Sequence, residues 1–272
     1  MSNFYEQLDR IYAEEGGAAA EAFLRKKAAD LSEEKNDDGR EYLLCMSELG
    51  GYLRATGRYG ESLDALGKAL SILLRTGGAG TSEHATSLIN IATTYRMAGD
   101  YEKALSVFME ADDIFGALPD ADPSLYAGLL NNVAILSKEK GEPARAADTL
   151  MRATDLLRQS PGAEDELATA LANLASVYLE TDNEKEAVSA NKEALELFES
   201  LPYESVHYPA ALNNAAVLSV RAGDYETAAN MLEKALPIIK AAFGENEDHG
   251  RMVKNLELIK AKAAVEAAEE KE

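Results

Sequence analysis

The chain of 272 residues has one cysteine, no tryptophan and no long apolar run. A bilayer-spanning helix needs about 18 to 20 consecutive apolar residues, so no transmembrane segment is predicted. The single thiol, Cys45, can form neither an intramolecular disulfide nor a paired-cysteine metal site. Its neighbours Leu44, Met46 and Leu49 indicate a buried structural residue rather than a nucleophile.

Basic side chains are also scarce. The chain has 48 acidic and 27 basic residues, a net charge of -21, which would repel the phosphates of nucleic acids and of anionic membranes. We therefore expect neither as a partner. The first residues, MSNFYEQLDR, do not form the basic and then apolar segment of a secretory signal, which favours a cytoplasmic protein.

Motifs for catalysis or cofactor binding are missing as well. The three histidines, His84, His207 and His249, are far apart and belong to no metal-binding motif. The GGAG segment before Thr81 lacks the lysine of a phosphate-binding loop, and no GxSxG sequence occurs. We predict no catalytic residue, no cofactor, no metal and no enzymatic activity.

The chain instead repeats itself at intervals of about 41 residues. Small residues recur in three columns, of which the first is Gly50, Ala92, Ala134, Ala175 and Ala216. The second column is Ser62, Ala104, Ala146, Ala187 and Ala228, and the third is Ala69, Ala111, Ala153, Ala194 and Ala235. Such columns are typical of positions where two helices cross too closely for larger side chains.

Between these columns the apolar residues have helical spacing, and each unit is interrupted once by a residue that tolerates left-handed dihedrals. The interruptions are Gly57, Gly99, Gly141, Asp182 and Gly223. Each unit is therefore predicted to be a helix-turn-helix. The predicted boundaries are an N-terminal helical pair or cap at 1–39, five repeats at 40–80, 81–121, 122–163, 164–204 and 205–248, and a C-terminal capping helix with a tail at 249–272.

The residue pattern resembles that of the tetratricopeptide repeat (TPR) family. The first-helix pattern of that family is matched by Ile91-Ala92 with Tyr95, and the second-helix pattern by Ala104, Phe108 and Ala111. The 41- to 42-residue period and the Asn131-Asn132 and Asn213-Asn214 doublets are similar to the long repeats of kinesin light chains. The resemblance implies an all-α fold, an α-α superhelix of antiparallel helix pairs with a C-terminal capping helix.

The resemblance also implies a concave groove lined by the first helix of each repeat. Carried onto this sequence, the groove positions predicted to bind a peptide are Arg54, Thr86, Ile89, Thr93, Arg96, Asn131, Ile135, Lys138, Thr169, Ser176, Asn213, Val217 and Arg221. Arg54, Arg96 and Lys138 take the same position in successive repeats, with Arg221 one position further on in the fifth. This basic row would attract an acidic peptide; alternatively, its members pair with neighbouring acids.

An asparagine ladder runs beside the groove positions and is interrupted at Glu48. Its members are Asn90, Asn132, Asn173, Asn214 and Asn255. The amides could bind the backbone of an extended peptide, but a structural role in satisfying backbone groups between helices is favoured.

These features predict a non-catalytic scaffold that docks a short, acidic segment of a protein or peptide partner in the groove. Two alternatives stay open. One is a regulatory protein that senses a peptide or small effector, and the other is an adaptor that forms homo-oligomers.

Overall fold

The computed structural model of the protein describes residues 2–33 and 39–269, and this part of the chain is all α-helical, without a strand. Its helices are α1 (Ser2–Glu14), α2 (Gly17–Glu33), α3 (Arg40–Ala55), α4 (Tyr59–Arg75), α5 (Ser82–Met97), α6 (Tyr101–Ala117), α7 (Pro123–Glu139), α8 (Pro143–Leu157), α9 (Glu164–Glu180), α10 (Glu184–Ser200), α11 (Tyr208–Arg221), α12 (Tyr225–Phe243) and α13 (Glu247–Glu269). The predicted all-α fold of adjacent helix pairs is confirmed. The repeat boundaries stay predictions.

The chain divides within α7 into two compact units, Met1–Asn132 and Val133–Glu272. In the first unit, consecutive helices from α1 to α6 pack against one another, and α3 also touches α5. In the second unit, consecutive helices from α8 to α13 do the same, and α9 also touches α11. In each unit, therefore, first helices of neighbouring pairs lie side by side.

Left-handed residues end the first helix of each pair as predicted. Gly57, Gly99, Gly141, Asp182 and Gly223 all have positive φ. At Gly99, where φ is 80°, the chain reverses and the Asp100 amide donates to the Tyr95 carbonyl at 2.9 Å. The Asp100 side chain then accepts from the Lys103 amide and caps α6. The second helix therefore starts two residues after each left-handed residue.

The small-residue columns lie at helix crossings. Every member of the three columns is buried. A Cβ on Gly50 would lie 2.6 Å from Leu66 Cγ, so α3 and α4 could not approach as closely with a larger residue. In the second unit, Ala134 and Ala146 share a core cluster with Leu150, Leu174 and Val177.

The N-terminal helix pair shares its core with the pair that follows. Phe4 and Leu8 of α1 and Leu24 of α2 belong to the same buried cluster as Leu49 of α3 and Ile72 of α4. The sulfur of Cys45 contacts the Leu24 carbonyl at 3.0 Å within this cluster, and burial raises the pKa of this thiol to about 11. The prediction of a buried structural cysteine is therefore confirmed.

Candidate functional site

None of the residues predicted to line a groove is fully buried, although the hydroxyl oxygen of Thr169 is. Val217 and Arg221 are exposed, and the other eleven are half-buried. The first unit contains Arg54, Thr86, Ile89, Thr93, Arg96 and Asn131, and the second contains Ile135, Lys138, Thr169, Ser176, Asn213, Val217 and Arg221. Each unit is therefore described with its own surface of first-helix residues.

In the first unit, the basic row brings two guanidinium groups together. Arg54 Nη1 donates to the backbone carbonyl of Asn90 at 3.1 Å and lies 3.2 Å from Asn90 Oδ1. Burial, and then the nearby charge of Arg96, lower the pKa of Arg54. The contact with Asn90 joins α3 to α5 and leaves the positive charge of Arg54 next to a neutral amide.

In the second unit, the cations of the row contact the neighbouring first helix. Lys138 Nζ lies 2.7 Å from Glu180 Oε1 and donates to Ser176 Oγ at 3.1 Å. Arg221 Nη2 donates to the Leu179 carbonyl at 2.8 Å, and its Nη1 lies 3.5 Å from Asp182 Oδ1. These contacts agree with the alternative in which the basic side chains pair within the repeat array.

The members of the asparagine ladder differ in their contacts. The amide of Asn214 is buried and donates from α11 to the Ala172 carbonyl of α9 at 2.8 Å. Asn132 donates to Gly128 within its own helix at 2.8 Å, whereas Asn255 is exposed. Asn214 thus connects two first helices, while Asn255 is accessible to a ligand.

Glu48, which interrupts the ladder, is half-buried in α3. Burial raises the pKa of its carboxyl group, and a hydrogen bond with the Tyr5 hydroxyl opposes this shift. The first repeat therefore carries an acidic group where the later repeats carry neutral amides.

A polar cavity of about 410 Å³ lies in the second unit, between α9, α11 and the beginning of α13. Its lining includes six residues that were predicted as groove or ladder positions, namely Asn173, Ser176, Asn213, Asn214, Val217 and Asn255. Asn246, before α13, adds a fifth amide. Amides offer both donors and acceptors, so this lining can pair with an extended peptide backbone.

An apolar groove of about 440 Å³ adjoins the polar cavity and lies between α11 and α13, over Leu232 of α12. Asn213, Val217 and Asn255 line both spaces. Arg221, predicted as a groove residue, also lines this second space. We call it the α11–α13 groove.

Sequence reasoning missed the contribution of α13. Arg251 lines the polar cavity, and Leu258 and Lys262 line the α11–α13 groove. These positions lie 41 residues after Ala210, Val217 and Arg221, respectively. The repeat offset of 41 residues, which relates Asn255 to Asn214, is therefore also the sequence signal that places the other residues of α13 at groove positions.

Within residues 2–33 and 39–269, no group of three or more histidine, cysteine, aspartate or glutamate side chains could hold a metal ion. No helix in this part of the chain is long and apolar enough to cross a membrane.

Sequence models of the tetratricopeptide repeat match residues 24–115, 125–200 and 210–250, which is more than half of the chain. This chain is a tetratricopeptide repeat protein. Repeat proteins of this family are generally non-catalytic scaffolds that bind other proteins on an extended surface. No curated protein sequence matches this tetratricopeptide repeat protein.

Solved structures show the same fold. BtubC (BKLC) from P. vanneervenii is 24% identical, with a TM-score of 0.64 over 76% of this tetratricopeptide repeat protein and 84% of BtubC. Kinesin light chain TPR-like repeats from Podosopora anserina are 17% identical, with a TM-score of 0.58 over 71% of this chain and 92% of theirs. A Rap protein complexed with competence and sporulation factor is 14% identical, with a TM-score of 0.64 over 96% of this chain and 75% of the Rap chain.

Proposed function

We propose that this tetratricopeptide repeat protein is a non-catalytic scaffold that binds a short, acidic segment of a protein partner at the groove positions of its first helices. The observation that carries the proposal is the polar cavity of the second unit, in which predicted groove and ladder residues meet. Its volume of about 410 Å³ is within the usual range of ligand pockets.

The lining of the polar cavity suits a peptide backbone. Asn213 is half-buried and Asn255 is exposed, so both amides are accessible from the cavity. A peptide held mainly through its backbone would bind with limited sequence preference, and its side chains would be selected by the charges around the cavity.

The preference for acidic segments rests on the basic row. In the first unit, Arg54 contacts the neutral amide of Asn90, and the charge of Arg96 lies nearby. In the second unit, the acid beside Arg221 is Asp182, whose side chain is 91% exposed and is easily exchanged for a ligand carboxylate. Such contacts would favour acidic ligands and would weaken as salt is added.

A display library of random 12-residue peptides tests this proposal. We expect the purified protein to enrich acidic peptides, and we expect a variant with Arg54→Gln, Arg96→Gln and Lys138→Gln to lose much of this enrichment. The matched control is Lys68→Gln, Lys185→Gln and Lys192→Gln, which removes the same charge from exposed positions of second helices. Equal enrichment by both variants would remove Arg54, Arg96 and Lys138 from the proposal, and no enrichment by the natural protein would contradict the proposal itself.

A second candidate function is the sensing of a peptide or effector by a regulatory protein. The observation that favours it is the similarity, over 96% of this chain, to a Rap protein complexed with competence and sporulation factor. A sensor should change shape on binding, so small-angle scattering with and without an enriched peptide separates the two functions. An unchanged radius of gyration at saturating peptide would favour the scaffold.

A homo-oligomeric adaptor is the third candidate. Its test is the molar mass by light scattering over a range of protein concentrations. A mass that stays at 29.3 kDa, the mass of one chain, would contradict it.

A further inference from the structure

The α11–α13 groove exposes apolar side chains that the core of the second unit does not use. Leu258 of α13 is 65% exposed and Val217 of α11 is 37% exposed, and both line the groove. Met252, by contrast, is buried on the same helix. Leu258 therefore lies away from the buried side of α13, on a surface that water contacts.

The charged side chains that line the groove are cations, although Arg221 also lies 3.5 Å from Asp182 Oδ1. Among the described residues that line it, Arg221 and Lys262 are charged, and none is acidic. Lys262 Nζ lies 5.7 Å from the centre of the Tyr225 ring, a contact in which the lysine keeps its positive charge. Two cations therefore line an otherwise uncharged groove in a chain with a net charge of -21.

We propose that the α11–α13 groove holds an acidic segment of a partner protein by one apolar anchor side chain. The anchor, of the size of leucine or phenylalanine, would bury Leu258 and Val217, and carboxylates beside the anchor would pair with Arg221 and Lys262. Asn213 and Asn255 line both the groove and the polar cavity, so the backbone of the same segment continues into the polar cavity. This inference rests on the proposed function and states where its ligand is anchored.

Charge complementarity argues for this occupant over a second copy of the chain. Two copies would each bring a net charge of -21 to the contact, and their repulsion opposes association. A short acidic segment brings few charges, which fall next to the two cations of the groove.

The experiment compares the natural protein and four variants in the same library of random 12-residue peptides, and the binding of the enriched peptides is then measured by fluorescence anisotropy. The test variants are Leu258→Ser, which removes one apolar side chain from the groove, and Lys262→Gln, which removes one cation. The matched controls are Val188→Ser and Lys192→Gln on α10, which change an exposed apolar residue and an exposed cation outside the groove. None of these four side chains is buried, so all variants should fold, and melting curves check this.

We expect the natural protein to enrich peptides that combine acidic residues with one large apolar residue. Leu258→Ser should weaken their binding about tenfold or more, since the apolar anchor would bury the exposed surface of Leu258. Lys262→Gln should weaken it about threefold, and less so at high salt. Both controls should bind like the natural protein.

Binding that survives both test variants would overturn the inference while leaving the proposed function intact. If no peptide is enriched by the natural protein or by any of the four variants, the proposed function fails, and this inference fails with it. A concentration-dependent molar mass that Leu258→Ser abolishes would show that a second copy occupies the groove, which also overturns the inference.

Discussion

Replacing Asn191 by leucine should stabilise the protein. Asn191 lies in α10 with only 2% of its surface exposed. Its Nδ2 donates to the Ala211 carbonyl at 3.1 Å, but among the described residues its buried Oδ1 has no hydrogen-bond donor. A buried polar atom without a partner costs about 1 to 3 kcal/mol.

The other repeats show that a large apolar side chain fits at this position. The equivalent residues, 41 or 42 positions apart, are buried apolar side chains, namely Leu66, Phe108, Leu150 and Leu232. Asn191→Leu removes the unpaired acceptor at the loss of one hydrogen bond, which is worth about 0.5 to 1.5 kcal/mol. The Ala211 carbonyl lies inside α11 and keeps its acceptor role within that helix. The net gain should be about 1 to 2 kcal/mol.

Urea and thermal unfolding followed by circular dichroism measure the effect. A gain of 1 kcal/mol in a chain of this size raises Tm by about 2 to 4 °C. Asn191→Ala is the control, because it removes the same polar atoms but leaves a cavity, so it should be less stable than Asn191→Leu. A leucine variant that is less stable than the natural protein would refute the reasoning, since it would mean that the amide is fully paired in its buried site.

Three further perturbations test the fold. Ala146→Leu should overpack a buried helix crossing of the second unit and lower the free energy of unfolding by about 1 to 3 kcal/mol. Glu142→Leu, four residues earlier at a half-buried turn, should change this free energy little in the same urea titration. Equal losses would mean that the small-residue columns are misplaced. Asp182→Gly should raise the free energy of unfolding by about 0.5 to 1 kcal/mol, because aspartate there has a φ of 56°, and an unchanged Tm would speak against strain. Burial raises the pKa of Cys45 from 9.0 to about 11, so folding favours the protonated thiol. This preference stabilises the folded state fully below pH 9, and the stabilisation is lost as the pH rises towards 11. In Cys45→Ala, the fall of the urea midpoint between pH 9 and 11 that is due to this thiol should disappear.

The fold could be predicted because its constraints are local. Small residues such as Ala92 and Ala104 are needed wherever two helices cross, and Gly99 is needed wherever a first helix must end in a left-handed turn. These constraints recur in every repeat, so each repeat supports the interpretation of the others.

The candidate site could be predicted only in part because it depends on contacts between repeats. Asn214 and Asn255 occupy the same ladder position, but one amide is buried against Ala172 and the other is exposed. Which environment an amide has depends on the distance to the neighbouring helix, which the sequence does not contain. The repeat offset indicates which α13 residues line the α11–α13 groove, but how open the groove is depends on how the C-terminal helix packs on α12.

The contacts of Lys138 and Arg221 have a mechanical consequence. Lys138 ties α7 to α9 through Glu180, and Arg221 ties α11 to the end of α9 through the Leu179 carbonyl. A ligand that draws these side chains to itself would remove both contacts, while the buried hydrogen bond of Asn214 would still connect α11 to α9. The flexibility of the second unit would then depend on whether a ligand is bound, because Lys138 and Arg221 would take part both in ligand binding and in the contacts between first helices.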